Sequence, residues 1–128
     1  MKIRRPNPTT AELEILGVLW EHGPASVRDI QRRLNAVKPT GYTTVLKLLQ
    51  IMHEKGLVSR DETTRPQIYS ARRPREDTQR QLLSDLAQRA FGGSVKALVL
   101  QALATRKSSP AELEEMEALL DRMERNGK

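Results

Sequence analysis

Apolar residues recur at helix-face spacing six times along the chain. Leu13, Leu16, Leu19 and Trp20 mark the first helix. Thr9, with Glu12 three residues on, opens it as a capping box, and Gly23-Pro24 ends it after His22. Ser26 caps a second, shorter helix, with Asp29 at its third position and Val27, Ile30 and Leu34 as its buried stripe. Pro39 forbids a continuous helix through the connector NAVKPT. Val45, Leu48, Leu49 and Met52 then predict a third helix within 41–56, stopped by Gly56. Past it, strands are expected at 57–60 and 67–71 around the tip DETTR, with Pro66 suited to a strand start or an edge. After Pro74 come stripes at Leu82, Leu83, Leu86, Ala87 and Ala90, and at Val95, Leu98, Val99, Ala102 and Leu103, with Phe91-Gly92-Gly93 as a break and hinge between them. The last stripe is Leu113, Met116, Leu119, Leu120 and Met123, opened by Ser109-Pro110-Ala111-Glu112.

A short helix, a turn, a second helix and a basic hairpin make a winged helix-turn-helix, whose second helix enters the major groove of duplex DNA. The expected fold is therefore mainly α with a small β-wing. A DNA-binding domain over 1–73 precedes a helical dimerisation domain over 74–128. Three short amphipathic helices are a poor core by themselves. Their stripes, represented by Leu82, Leu86, Leu98, Leu103, Leu113, Met116 and Leu120, are expected to bury against a second copy in a two-fold homodimer. The alternative is that these helices fold back on the N-terminal core.

Charge sharpens this division. Residues 1–74 hold thirteen basic and seven acidic side chains and so carry the whole net charge of +6, whereas 75–128 sum to zero. A basic half suits a polyanion and a neutral half suits protein. Cysteine is absent, which excludes disulfides, thiolate metal sites and cysteine catalysis. The start MKIRRPNPTT lacks the apolar run of a secretory signal, and no stretch reaches the ~20 apolar residues of a membrane span. The expectation is a cytoplasmic protein without membrane insertion. Trp20, Tyr42, Tyr69 and Phe91 are the only aromatics, too few for single-strand stacking platforms.

Three phrases carry a family resemblance: TAELEILGVLW (Thr10 to Trp20), YTTVLKLLQIMHEKGLV (Tyr42 to Val58) and GSVKALVLQAL (Gly93 to Leu103). In this order they span nearly the whole chain, which resembles the penicillinase-repressor family, the BlaI/MecI/CopY group. The resemblance implies a homodimeric repressor on palindromic operators of resistance or stress genes. It also implies relief of repression when a membrane sensor-protease is triggered and the dimerisation region is cut. By analogy the scissile position falls near Gln101-Ala102, where staphylococcal members have Asn-Phe. Copper-responsive members carry C-terminal cysteine pairs, which this chain lacks.

Within the DNA-reading unit, Tyr42, Thr43, Thr44 and Lys47 occupy the first turns of the recognition helix, the part that approaches base edges. Ser26 and Arg28 open the second helix, whose N-terminal amides suit a phosphate, although Ser26 equally serves as a cap. Arg60, Arg65 and Gln67 belong to the wing and are expected at backbone phosphates or the minor groove. Arg4 and Arg5 lie in a polar, proline-containing arm. His22 and His53, without cysteine nearby, make no zinc site, and no catalytic triad or phosphate-loop pattern occurs, so neither metal, cofactor nor enzymatic activity is expected. Two other functions fit the same elements: a winged helix that senses a small ligand directly, and a winged helix used as a protein-interaction scaffold.

Overall fold

The computed structural model describes residues 6–105 and 109–126; Arg4 and Arg5 lie outside them. The element order is α1 (Thr10–His22), α2 (Val27–Asn35), α3 (Tyr42–Lys55), β1 (Val58–Asp61), β2 (Ile68–Ala71), α4 (Arg75–Ala90), α5 (Val95–Thr105) and α6 (Pro110–Asn126). This is a mainly α chain with a two-stranded wing after the third helix.

Local chemistry sets the ends of the first three helices. Thr9 Oγ1 accepts from the Glu12 N–H at 3.2 Å, and Glu12 Oε1 accepts from the Thr9 N–H at 2.8 Å, completing the expected capping box. Ser26 Oγ caps α2 by accepting from the Asp29 N–H at 3.2 Å. Gly56, at φ 80°, occupies the left-handed position that ends α3 and turns the chain into the wing.

Residues 1–82 form one compact unit. Its core gathers Ile15, Leu16 and Leu19 from α1, Val27 and Ile30 from α2, Val45, Leu49 and Met52 from α3, and Val58 and Tyr69 from the wing. The face that α1 buries differs from the expected stripe. Leu13 and Trp20 are only half-buried, while Ile15 and the charged Glu12 are enclosed. The reason is that α1 packs at once against α2, α3 and β2. Leu34 and Leu48, also expected inside, are half-buried at the edge of the same core.

β1 pairs antiparallel with β2 in the register Val58↔Ala71 to Asp61↔Ile68. Both strands begin one residue later than the sequence suggests. Leu57 is used instead to close α3, its N–H donating to the Met52 carbonyl at 2.9 Å. Gln67 follows Pro66 outside the ladder. A short third partner holds the wing from behind: Ala25 and Tyr69 exchange backbone hydrogen bonds of 3.0 and 2.8 Å. Ala25, the residue before the α2 cap, is thereby fixed to the second strand of the wing.

Residues 83–128 form the second unit. Gly92 and Gly93 have φ of 58° and 87°, and the Gly93 N–H donates to the Ala87 carbonyl at 2.8 Å, which stops α4. Ser94 caps α5, and Ser109 with Glu112 forms the expected capping box on α6. Among the described residues neither α5 nor α6 contains a buried side chain. Leu86, Leu113 and Met116 are exposed, whereas Leu82, Leu98, Leu103 and Leu120 are partly covered.

Candidate nucleic-acid interface

The start of α3 is open and polar. Its N-cap is Gly41, which supplies no side-chain acceptor, so the first amides of the helix are left open. Tyr42, Thr43, Thr44 and Lys47 are all exposed there, and Gln50 continues the same outer face one turn on. The opposite face carries Val45, Leu49 and Met52, each fully buried. The polar side of α3 is therefore fixed toward solvent by its core side.

Four expected site residues converge on one cleft. Ser26, Arg28, Tyr42 and Gln67, with Leu46 and Pro66, line a space of about 360 Å³ between the start of α2, the start of α3 and the wing. The Arg28 guanidinium lies 5.3 Å from the centroid of the Tyr42 ring, a cation–π contact that joins α2 to α3. Ser26 is buried and its hydroxyl is engaged in capping α2, so any part it has in anion binding runs through the helix N-terminus it shapes.

The wing arginines differ from each other. Arg60 is held within the hairpin: Nε and Nη2 donate to Glu62 Oε2 at 2.9 and 2.7 Å. Glu62 and the Tyr69 hydroxyl together raise its pKa above the ordinary arginine value. Arg65 is exposed near the tip. The turn between them is organised by Asp61, whose Oδ1 accepts from the Thr63 hydroxyl at 2.6 Å and the Thr63 N–H at 2.9 Å. These two donors hold the Asp61 carboxyl below its usual pKa.

A charged pair absent from the sequence reading lies behind this surface. Lys55, in the last turn of α3, donates through Nζ to Glu12 Oε1 at 2.8 Å and Oε2 at 3.0 Å. The Glu12 side chain is 2% exposed and that of Lys55 is 27% exposed. A second link ties α1 to the exit of the wing: Trp20 Nε1 donates to the Arg73 carbonyl at 3.0 Å, and Arg73 Nη1 donates to the Gly56 carbonyl at 3.3 Å.

Gln101 and Ala102, the expected cleavage position, are exposed and lie within α5. Among the described residues no cluster of three metal-ligating side chains occurs, and no helix is long and apolar enough to cross a membrane.

Comparison with known proteins gives these elements a family. A family profile described as penicillinase repressor matches residues 8–122. The penicillinase repressor of Staphylococcus aureus is 21% identical over 111 residues, covering 87% of this chain and 88% of its own length. The penicillinase repressor of Bacillus licheniformis is 22% identical over 116 residues, covering 91% of each chain. Among solved structures, the YusO protein from Bacillus subtilis superposes with a TM-score of 0.49 at 18% identity, covering 92% of this chain and 75% of that one. The family match runs from the cap of α1 into α6 and takes in the whole DNA-reading unit, so this chain belongs to the penicillinase repressor family of transcriptional regulators.

Proposed function

We propose that the chain is a homodimeric repressor that binds palindromic double-stranded operators, with α3 in the major groove and the wing against the flanking backbone. The carrying observation is the exposed row Tyr42, Thr43, Thr44 and Lys47 at the open N-terminus of α3, beside the cleft formed with Arg28 and Gln67. In this reading the threonines and Lys47 address bases or phosphates, and Tyr42 is oriented by Arg28. Arg65 meets phosphate, while Arg60 keeps the hairpin in shape through Glu62 and Tyr69. The division of labour is that of a DNA-binding domain over 1–73 and a dimerisation domain over 74–128. The exposed apolar side chains of α4, α5 and α6 supply the two-fold contact.

Repression is relieved, on this proposal, by a membrane sensor-protease that cuts between Gly93 and Thr105, near Gln101-Ala102. Those residues are accessible but helical, so cleavage requires α5 to open locally. The test of the DNA-binding reading is fluorescence anisotropy on a candidate operator and on random duplex across a salt series. Binding that weakens steeply with salt and favours the operator supports it. Absence of salt-dependent binding to either duplex overturns it and leaves the interaction-scaffold function.

A further inference from the structure

We infer that the Glu12–Lys55 pair is a brace that sets the inclination of the recognition helix, so that operator discrimination depends on two residues that touch no DNA. The inference rests on the DNA-binding reading above and deepens it.

The geometry points beyond stability. Glu12 is enclosed and has a complete set of partners from two directions: the Thr9 N–H at the start of α1, and the Lys55 ammonium on both carboxylate oxygens. Lys55 sits on the last turn of α3, immediately before the left-handed Gly56 that begins the wing. The pair thus joins the start of α1 to the far end of the recognition helix. Apolar packing is non-directional, whereas the two short charged hydrogen bonds from Lys55 to an enclosed carboxylate add a directional tie at that end of α3. Pairs of this kind add little net stability over apolar residues of similar volume.

The lever is long enough to matter. Leu49 anchors the middle of α3 in the core. Tyr42 and Thr43 lie about 10 Å from it along the helix. A tilt of about 10° around that anchor moves them by nearly ~2 Å, which takes a hydrogen bond to a base edge out of range. Phosphate contacts from long flexible side chains tolerate the same displacement better.

The decisive variant is the double substitution Glu12→Gln with Lys55→Met. Glutamine preserves the acceptor that the Thr9 N–H needs, and methionine preserves the volume and most of the lysine stem. The expected result is a midpoint of unfolding close to wild type, with the operator-to-random affinity ratio reduced about tenfold or more. The salt slope stays unchanged, because no phosphate contact has been removed. Lys55→Arg, which retains charged donors to Glu12, should recover most of the ratio.

A folded double variant with the wild-type ratio overturns the brace. A salt slope lowered by about one unit per half-site also overturns it, since Lys55 would then be a phosphate contact. If the double variant does not fold, Lys55→Ala alone, which removes both donors to Glu12, leaves the capping box and opens the carboxylate to water, must lower the ratio, and an unchanged ratio there refutes the inference. Wild-type protein that shows no salt-dependent binding removes the DNA-binding reading itself, an outcome distinct from all of these.

Discussion

Leu119→Glu tests the proposed dimer most directly. Eight large apolar side chains of the second unit, from Leu83 to Met123, are between 36% and 56% exposed in the single chain, and Leu119 is 50% exposed. Burying what remains of such a side chain contributes roughly 1 kcal/mol, half of the value for complete burial of an aliphatic residue. Both protomers of a two-fold dimer together give on the order of 10–20 kcal/mol, against roughly 4–15 kcal/mol for lost translational and rotational freedom, with side-chain ordering in addition. The two ranges overlap, and the prediction is a net gain of at least ~8 kcal/mol, a dissociation constant in the micromolar range or tighter. Leu119→Glu removes roughly 1 kcal/mol from each copy and adds a carboxylate that must lose its water, a penalty of several kcal/mol per ion. Weakening by about 4 kcal/mol raises the dissociation constant about a thousandfold. Because Leu119 is half exposed in the protomer, helix content measured by circular dichroism should not change. Sedimentation equilibrium between 1 and 100 µM is the assay. Wild type should be dimeric and the variant monomeric, with operator affinity reduced about a hundredfold through loss of linked binding. A variant that stays dimeric with the wild-type constant places the interface elsewhere, and a monomeric wild type at these concentrations refutes the reasoning altogether.

Two further outcomes are expected. Thr43→Ala should lower discrimination between operator and random duplex, while Arg65→Ala should weaken both alike and shallow the salt slope by about one unit per half-site; identical specificity ratios for wild type and Thr43→Ala would assign recognition to DNA shape instead. The Asp61 carboxyl is held below its usual value by Thr63, so its contribution to the wing turn is complete above the unfolded carboxylate range and is lost as pH falls through the lowered native value. The protection of the wing-tip amides, taken relative to the intrinsic exchange rate at each pH, should fall in that window for wild type and show no such transition in Asp61→Ala.

The element order was legible because its signals are local. Caps at Thr9, Ser26 and Ser109, the stop at Gly56 and the spacing of Val45, Leu49 and Met52 all act within one or two helical turns. The wing was legible for the same reason, to within a residue at each strand start. Long-range pairings were not. Glu12 already had a sufficient local explanation as the third residue of a capping box, and nothing in the sequence ties it to a lysine 43 positions away. The Ala25–Tyr69 bridge was hidden likewise, since alanine before a helix cap carries no strand signal. Arg60 with Glu62 was within reach: the two are only two residues apart at the end of β1, and an arginine and a glutamate so close in the chain are ready to pair. The convergence of Ser26, Arg28, Tyr42 and Gln67 required the fold, because three separate elements meet there.

That convergence bears on how such a repressor is switched off. All the residues of the main core lie between Ile15 and Tyr69, and the links that close the DNA-reading unit, from Trp20 to Arg73 and from Asn7 to Gln81, lie within residues 1–82. A cut between Gly93 and Thr105 leaves every one of these contacts intact. Under the proposed mechanism, cleavage therefore does not act by unfolding the reading head. It separates the helices that hold two heads together, and each head is left with the affinity of a single half-site. Linked binding can multiply affinity by about a hundredfold or more without any new contact, and it vanishes once the link is broken. A basic reader joined to a neutral, exposed helical segment is what such a switch requires: on the proposed mechanism the strength of repression would reside in the half of the chain that touches no DNA.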